Sequence, residues 1–147
     1  MGTAPFLRLM RELASCYQAL EALSAADIRR HGLTPAQFDV IATLGNTDGM
    51  TPTELGTRTL ITKGTLTGVV DRLAGKGLLQ RLPSPVDGRS QIVRLSRDGE
   101  ALFARIFPAH VAYLADAFAG LGPEDYARAE RELRALRERF RTALEAA

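Results

Sequence analysis

Apolar residues recur in alternating steps of three and four through Phe6, Leu9, Leu13, Cys16, Leu20 and Leu23. That spacing predicts one helix from Pro5 to about His31 with a heptad-like stripe suited to packing against another helix. His31-Gly32 reads as its C-terminus, with an imidazole near the last carbonyls and a glycine free to turn left-handed. Nothing close to His31 in sequence supplies a second polar group, so a ligand contact there is not indicated. Thr34-Pro35-Ala36-Gln37 combines an accepting hydroxyl, a proline that needs no donor and an amide able to reach back. A second helix starts there, with Phe38, Ile41 and Leu44 inward. Gly45 to Gly49 is a loop, and Met50 forms a brief strand.

The stretch Thr51 to Leu95 organises the rest. Thr51-Pro52-Thr53-Glu54 repeats the helix-start chemistry and opens a short helix carrying Leu55 and Gly56. Thr62 then caps another helix, in which Leu66, Val69, Val70 and Leu73 share an inward face. Lys76-Gly77 ends it with a cation near the negative end of the dipole and a glycine to leave the helix. The outer face shows Thr62, Lys63, Gly64, Thr65, Thr67, Gly68 and Arg72. Small, hydroxylated and basic residues suit the floor of a major groove: glycine permits close approach, threonine meets phosphate or a thymine methyl, and cations meet phosphate or guanine. Two closely joined helices with such a face on the second form a helix-turn-helix. Alternation in Leu78–Leu82 and Ser90–Leu95 around a Pro, Asp and Gly turn predicts a hairpin. Its tip, Asp87-Gly88-Arg89, carries an arginine for a narrow minor groove, with Asp87 placed to hold the guanidinium.

Beyond the hairpin, Ser96 caps a helix reaching about Ala119, with Leu102, Phe103, Ile106, Tyr113, Leu114 and Phe118 apolar and a bend at Pro108. Gly120-Leu121-Gly122-Pro123-Glu124 interrupts it and begins a last helix. There Tyr126, Ala129, Leu133, Leu136, Phe140 and Ala143 make a second stripe among solvated, mixed charges. The two terminal seams, above all Leu9, Leu13, Leu20, Leu133, Leu136 and Phe140, predict a homodimer; purely intramolecular packing is the alternative.

Charge sharpens this picture because of where it sits. Residues 58–97 hold eight Lys or Arg and two acids, while the rest of the chain holds 11 bases and 15 acids. The positive field therefore lies on the predicted DNA reader, although the net charge is only +2. With 147 residues, 46% of them hydrophobic, the chain can bury one core as a single compact subunit. No apolar run reaches the roughly 20 residues of a membrane span and no signal pattern opens the chain, so a cytoplasmic protein without membrane contact is expected. One cysteine excludes a disulfide framework and a cysteine-built metal site. Two histidines isolated in sequence, and a cysteine inside an apolar stripe, offer no nucleophile beside a base and no metal ligand set. Neither an enzyme nor a cofactor is expected.

The run Leu66-Thr67-Gly68-Val69-Val70-Asp71-Arg72-Leu73, followed by Gly77-Leu78, Arg81, Pro83, Pro85, Asp87-Gly88-Arg89-Ser90 and Leu95-Ser96-Arg97-Asp98-Gly99, resembles the MarR family of winged helix-turn-helix regulators. The resemblance extends over nearly the whole chain. It implies a mainly α fold with a small β-wing: residues 1–33 for dimerisation, 34–97 as the winged DNA-binding lobe, and 98–147 as further dimerisation helices. It also implies a dimeric repressor on a pseudo-palindromic double-stranded operator, released by a small, often phenolic effector bound between the dimer helices and the winged lobe. Leu13, Tyr17, Phe38 and Arg72 are the effector-lining residues it nominates here. Some members of the family sense oxidants through a cysteine in the first helix. Cys16 occupies that helix, but its apolar neighbours supply no cation to stabilise a thiolate. A winged helix that binds protein instead of DNA is the remaining alternative, and the basic wing tip argues against it.

Overall fold

A computed structural model describes residues 4–59 and 61–147, so only Met1–Thr3 of the expected N-terminal segment and Leu60 lie outside the described residues. The order is α1 (Pro5–Arg30), α2 (Pro35–Leu44), α3 (Pro52–Thr59), α4 (Lys63–Gly75), β1 (Leu79–Pro83), β2 (Gln91–Leu95), α5 (Arg97–Ala115), a 3-10 turn (Asp116–Phe118) and α6 (Pro123–Glu145). It is the mainly α, winged helix-turn-helix architecture expected.

Local chemistry sets most boundaries. At α2 the Gln37 N–H donates to Thr34 Oγ1 at 3.2 Å and the Thr34 N–H donates to Gln37 Oε1 at 3.1 Å, closing a reciprocal cap. At α3 only half of that device forms. The Glu54 N–H donates to Thr51 Oγ1, but the Glu54 carboxylate pairs with Arg58 one turn on. Thr62 stands at the N-cap of α4, yet its hydroxyl donates to Thr65 Oγ1 at 3.0 Å and takes no backbone amide. The expected cap is thus positional only, because a second hydroxyl one turn away competes for it. Gly77, with φ of +76°, ends α4: its N–H donates to the Ala74 carbonyl and that of Leu78 to the Leu73 carbonyl.

β1 and β2 pair antiparallel with Leu79 opposite Leu95 and Pro83 opposite Gln91, and Met50 adds a bridge to Val93. The core lies beneath this wing. Ile41 and Leu44 of α2, Leu55 of α3, Leu73 of α4, Val93 of β2 and Ile106 of α5 are all fully buried. Each such side chain contributes about 1.5–3 kcal/mol by leaving water. Since α2 packs against α1, α3, α4 and β2, it is the post on which the reading helices are mounted.

Ser96 joins three elements. Its hydroxyl donates to the Gly77 carbonyl after α4 and accepts the Gly99 N–H in the first turn of α5, while its own N–H donates to the Leu78 carbonyl before β1. α5 runs as one element across Pro108 and stops at Ala115, short of the expected Ala119, with the 3-10 turn taking over. Pro108 leaves the Ala104 carbonyl without its helical donor.

The chain divides into two compact units, residues 1–114 and 115–147, with the division inside α5. In the second unit, Gly120 has φ of +89° and the Gly122 N–H donates to Asp125 Oδ2 at 2.9 Å, starting α6.

A Cβ at Gly99 would collide with the Leu78 carbonyl oxygen. That oxygen is fixed backbone already bonded to Ser96, so nothing there yields easily. Gly99→Ala is therefore expected to destabilise the fold by about 1–3 kcal/mol, as overpacking does. Urea unfolding of the two proteins measures it; equal midpoints would contradict the packing described.

Candidate nucleic-acid interface

The four apolar residues of α4 are each no more than 5% exposed. With Leu66, Val69, Val70 and Leu73 turned inward, the helix has one azimuth available to it. Thr62, Lys63, Gly64, Thr65, Thr67 and Arg72 are accordingly exposed, and Gly68 is half-buried. Cβ atoms built at Gly64 and Gly68 meet nothing within 4 Å, so the backbone there lies open to a close approach from outside. Lys63 and Arg72 form no ion pair among the described residues. A hydroxylated face with a cation toward each end is what an edge of duplex DNA can meet.

Both acids of this region are occupied. Asp71, on the solvent side of α4, is paired with Arg81 of β1, which neutralises a carboxylate next to Arg72 and ties the wing to the helix. Sequence reading did not anticipate that pair, since the partners are ten residues apart on different elements. Asp87 was expected to hold the Arg89 guanidinium. Instead Oδ1 accepts the Arg89 backbone N–H at 3.0 Å and Oδ2 accepts the Ser90 hydroxyl at 3.3 Å, an Asx-type turn. Local backbone donors lie closer to the carboxylate than a long, solvated side chain does. The outcome is a hydrogen-bonded tip, Asp87-Gly88-Arg89, with an exposed guanidinium in no ion pair among the described residues.

Away from this face, a cavity of about 620 Å³ opens between α1, α2 and α5. Leu20, Ala25, Ile28, Phe38 and Leu114 supply its apolar wall, and Glu21, Ser24, Arg29 and Asp39 its polar atoms. Of the four nominated effector residues, Phe38 lines it, whereas Leu13, Tyr17 and Arg72 do not. Burial pushes the Asp39 carboxyl above the usual carboxylate range, with a hydrogen bond to Thr43 opposing. Tyr17, beside the cavity residues in sequence, has its phenol pushed up by a hydrogen bond to Glu21 and by that carboxylate's charge.

Behind the cavity wall the two histidines prove not to be isolated. Asp27 Oδ2 lies 2.9 Å from His110 Nδ1, and His110 Nε2 lies 3.1 Å from Ser24 Oγ. His31 Nε2 approaches the same Asp27 oxygen at 3.4 Å without hydrogen-bond alignment. His110 and Asp27 are buried, and the Phe38 ring leans on the His110 ring at 4.6 Å between centroids. The Asp27–His31 spacing of four was legible; the arrival of His110 from α5 was not. A serine beside an imidazole held by a carboxylate resembles a nucleophile array, but Ser24 lies in the interior of α1. Its backbone N–H neighbours belong to the helix, so no donor pair is free for an oxyanion.

The dimerisation stripes are bare in the single chain: Leu9 and Leu20 on α1, and Leu133 and Phe140 on α6, are all exposed, with Leu13 and Leu136 half-buried. Cys16, on the same stripe, is exposed with them. No helix among the described residues is long and apolar enough to cross a membrane.

Comparison with known proteins bears on the whole arrangement. A sequence model described as the MarR family matches residues 31–90, from just after α1 through the wing tip. The HTH-type transcriptional regulator YkoM of Bacillus subtilis is 31% identical over 119 residues, which cover 81% of this chain and 77% of YkoM. Sco3205 of Streptomyces coelicolor, a MarR family transcriptional regulator solved in complex with DNA, superposes with a TM-score of 0.81 at 25% identity, covering 94% of this chain and 89% of that one. BpsR of Bordetella bronchiseptica, whose DNA binding is regulated by 6-hydroxynicotinic acid, gives 0.79 at 27% identity, covering 92% and 97%.

Because the space outside Gly68 is empty, Gly68→Ala is expected to stabilise the fold by about 0.5–1 kcal/mol through helix propensity. The same methyl stands on the reading face and is expected to weaken duplex binding. Thermal unfolding and a DNA titration of one variant test both; a gain of affinity with the gain of stability would remove Gly68 from the interface.

Proposed function

The chain belongs to the MarR family of DNA-binding transcriptional regulators, and from that premise we propose that it acts in the cytoplasm as a homodimeric repressor. In this reading each subunit lays the outer face of α4 in a major groove. Lys63, Thr65, Thr67 and Arg72 meet phosphates and base edges, Thr62, Gly64 and Gly68 permit the approach, and Asp87-Gly88 aims Arg89 at the adjoining minor groove. The observation that carries it is the combination on one lobe of an unobstructed, small-residue helix face with a guanidinium, in no ion pair among the described residues, on a hydrogen-bonded tip.

The bare seams support homodimerisation. Leu9, Leu13 and Leu20 on α1, and Leu133, Leu136 and Phe140 on α6, leave large apolar side chains in water unless a second copy covers them. Two copies read a pseudo-palindrome with half-sites about one helical turn, roughly 10 base pairs, apart.

Release is assigned to a small molecule in the cavity between α1, α2 and α5, a proposal supported by the regulation of BpsR by 6-hydroxynicotinic acid. The cavity touches one helix of the reading lobe and two helices that flank it. A ligand there shifts the equilibrium between DNA-competent and incompetent states by its difference in affinity for the two.

Arg89→Ala is expected to weaken binding to DNA from the protein's own upstream region about tenfold, and removing one cation from the interface flattens the salt dependence by about one unit in log–log slope. Fluorescence anisotropy over a salt series measures both. Binding insensitive to salt in the parent, or unchanged in the variant, would leave the wing tip without this role.

A further inference from the structure

We infer that the cavity between α1, α2 and α5 selects a ligand with an apolar, ring-sized body and a hydrogen-bond-donating, cationic head, such as an arylalkylamine, and discriminates against aromatic carboxylates. This rests on the reading of the cavity as the effector site and adds the chemistry of what enters it.

The relay behind the wall sets the polarity of its central group. Asp27 accepts the Nδ1 proton of His110 at 2.9 Å, which in the neutral ring leaves Nε2 as an acceptor. With Nε2 as the acceptor, Ser24, 3.1 Å away, donates its one proton to the imidazole and keeps only acceptor capacity for the cavity it lines. A group arriving at Ser24 meets an acceptor, and must itself donate.

The charges around Ser24 point the same way. Glu21 and Ser24 stand one helical turn apart on α1, and Asp39 faces the same space from α2. Among the described residues neither carboxylate lies in an ion pair. Arg29 is the single cation of the lining and sits on the neighbouring row of α1, with Ala22 and Ala25. Asp39 is half-buried, and burial already penalises its ionised form, so a cation delivered into the cavity relieves a cost the empty site bears. Phe38, Leu20, Ile28 and Leu114 provide the apolar room for a ring.

The test uses the full chain and two probes with one aromatic body and opposite heads: 2-phenylethylammonium and 3-phenylpropionate. Binding is followed by calorimetry up to about 10 mM, the weak range expected for ligands of this size. The amine is expected to bind at least about tenfold more tightly than the acid, a difference of about 1.4 kcal/mol. Ser24→Ala is expected to lower amine affinity several-fold, and Glu21→Gln with Asp39→Asn to bring the two probes close together. Ala22→Trp, at an exposed position on the cavity lining, is expected to abolish both. If the acid binds as well as or better than the amine, and Ala22→Trp abolishes it, the polarity argument fails while the effector cavity stands. If neither probe binds, or binding survives Ala22→Trp, the cavity is not the ligand site and both readings fall.

Discussion

The fold turns on how firmly α4 is seated. Leu66, Val69, Val70 and Leu73 fall within one helical stripe and are almost completely withdrawn from water against a core that includes Ile41, Leu44 and Leu55. Rotating the helix by one residue would bring polar side chains into that core and apolar ones to the surface, a loss of several kcal/mol. Its outer face therefore cannot drift. The residues presented there are those that close backbone approach requires, and they are presented because of what is buried behind them.

Electrostatics complete what packing begins. Eight bases within residues 58–97 would be of limited use if neighbouring carboxylates repelled phosphate, and both acids of the stretch are engaged. Asp71 is neutralised by Arg81, and that pair also braces β1 against α4; Asp87 is consumed in shaping its own turn. A tip held by its own hydrogen bonds before contact loses less entropy on binding than one without them. Ser96 serves the same end, bonding at once to the exit of α4, the base of the wing and the entry of α5.

Periodicity and capping made much of this legible. The reciprocal Thr34–Gln37 cap, the left-handed Gly77 and the inward set of α4 all follow from neighbours within a few residues, where sequence spacing is spatial spacing. Relations between distant elements were not legible. The pairing of Asp71 with Arg81 and the meeting of His110 with Asp27 and Ser24 depend on how helices and strands pack, which no local pattern encodes. Competition among local partners also escaped notice. Thr62 prefers a neighbouring hydroxyl to a helix amide, and Asp87 prefers its own turn to the Arg89 side chain. The cavity is a third instance: Phe38 was identifiable as an inward residue of α2, but the wall it shares with Ser24, Glu21 and Leu114 appears only once three helices are placed.

The central claim is that a paired copy repeats one groove-fitting surface at a fixed interval along DNA. Hydroxyl-radical and base-methylation footprinting on the region upstream of the protein's own coding sequence tests it most directly. The account predicts two tracts of major-groove protection with centres roughly 10 base pairs apart, each bordered by minor-groove protection where Arg89 enters. A single tract, or two tracts at a spacing that leaves them on opposite faces of the duplex, would contradict it.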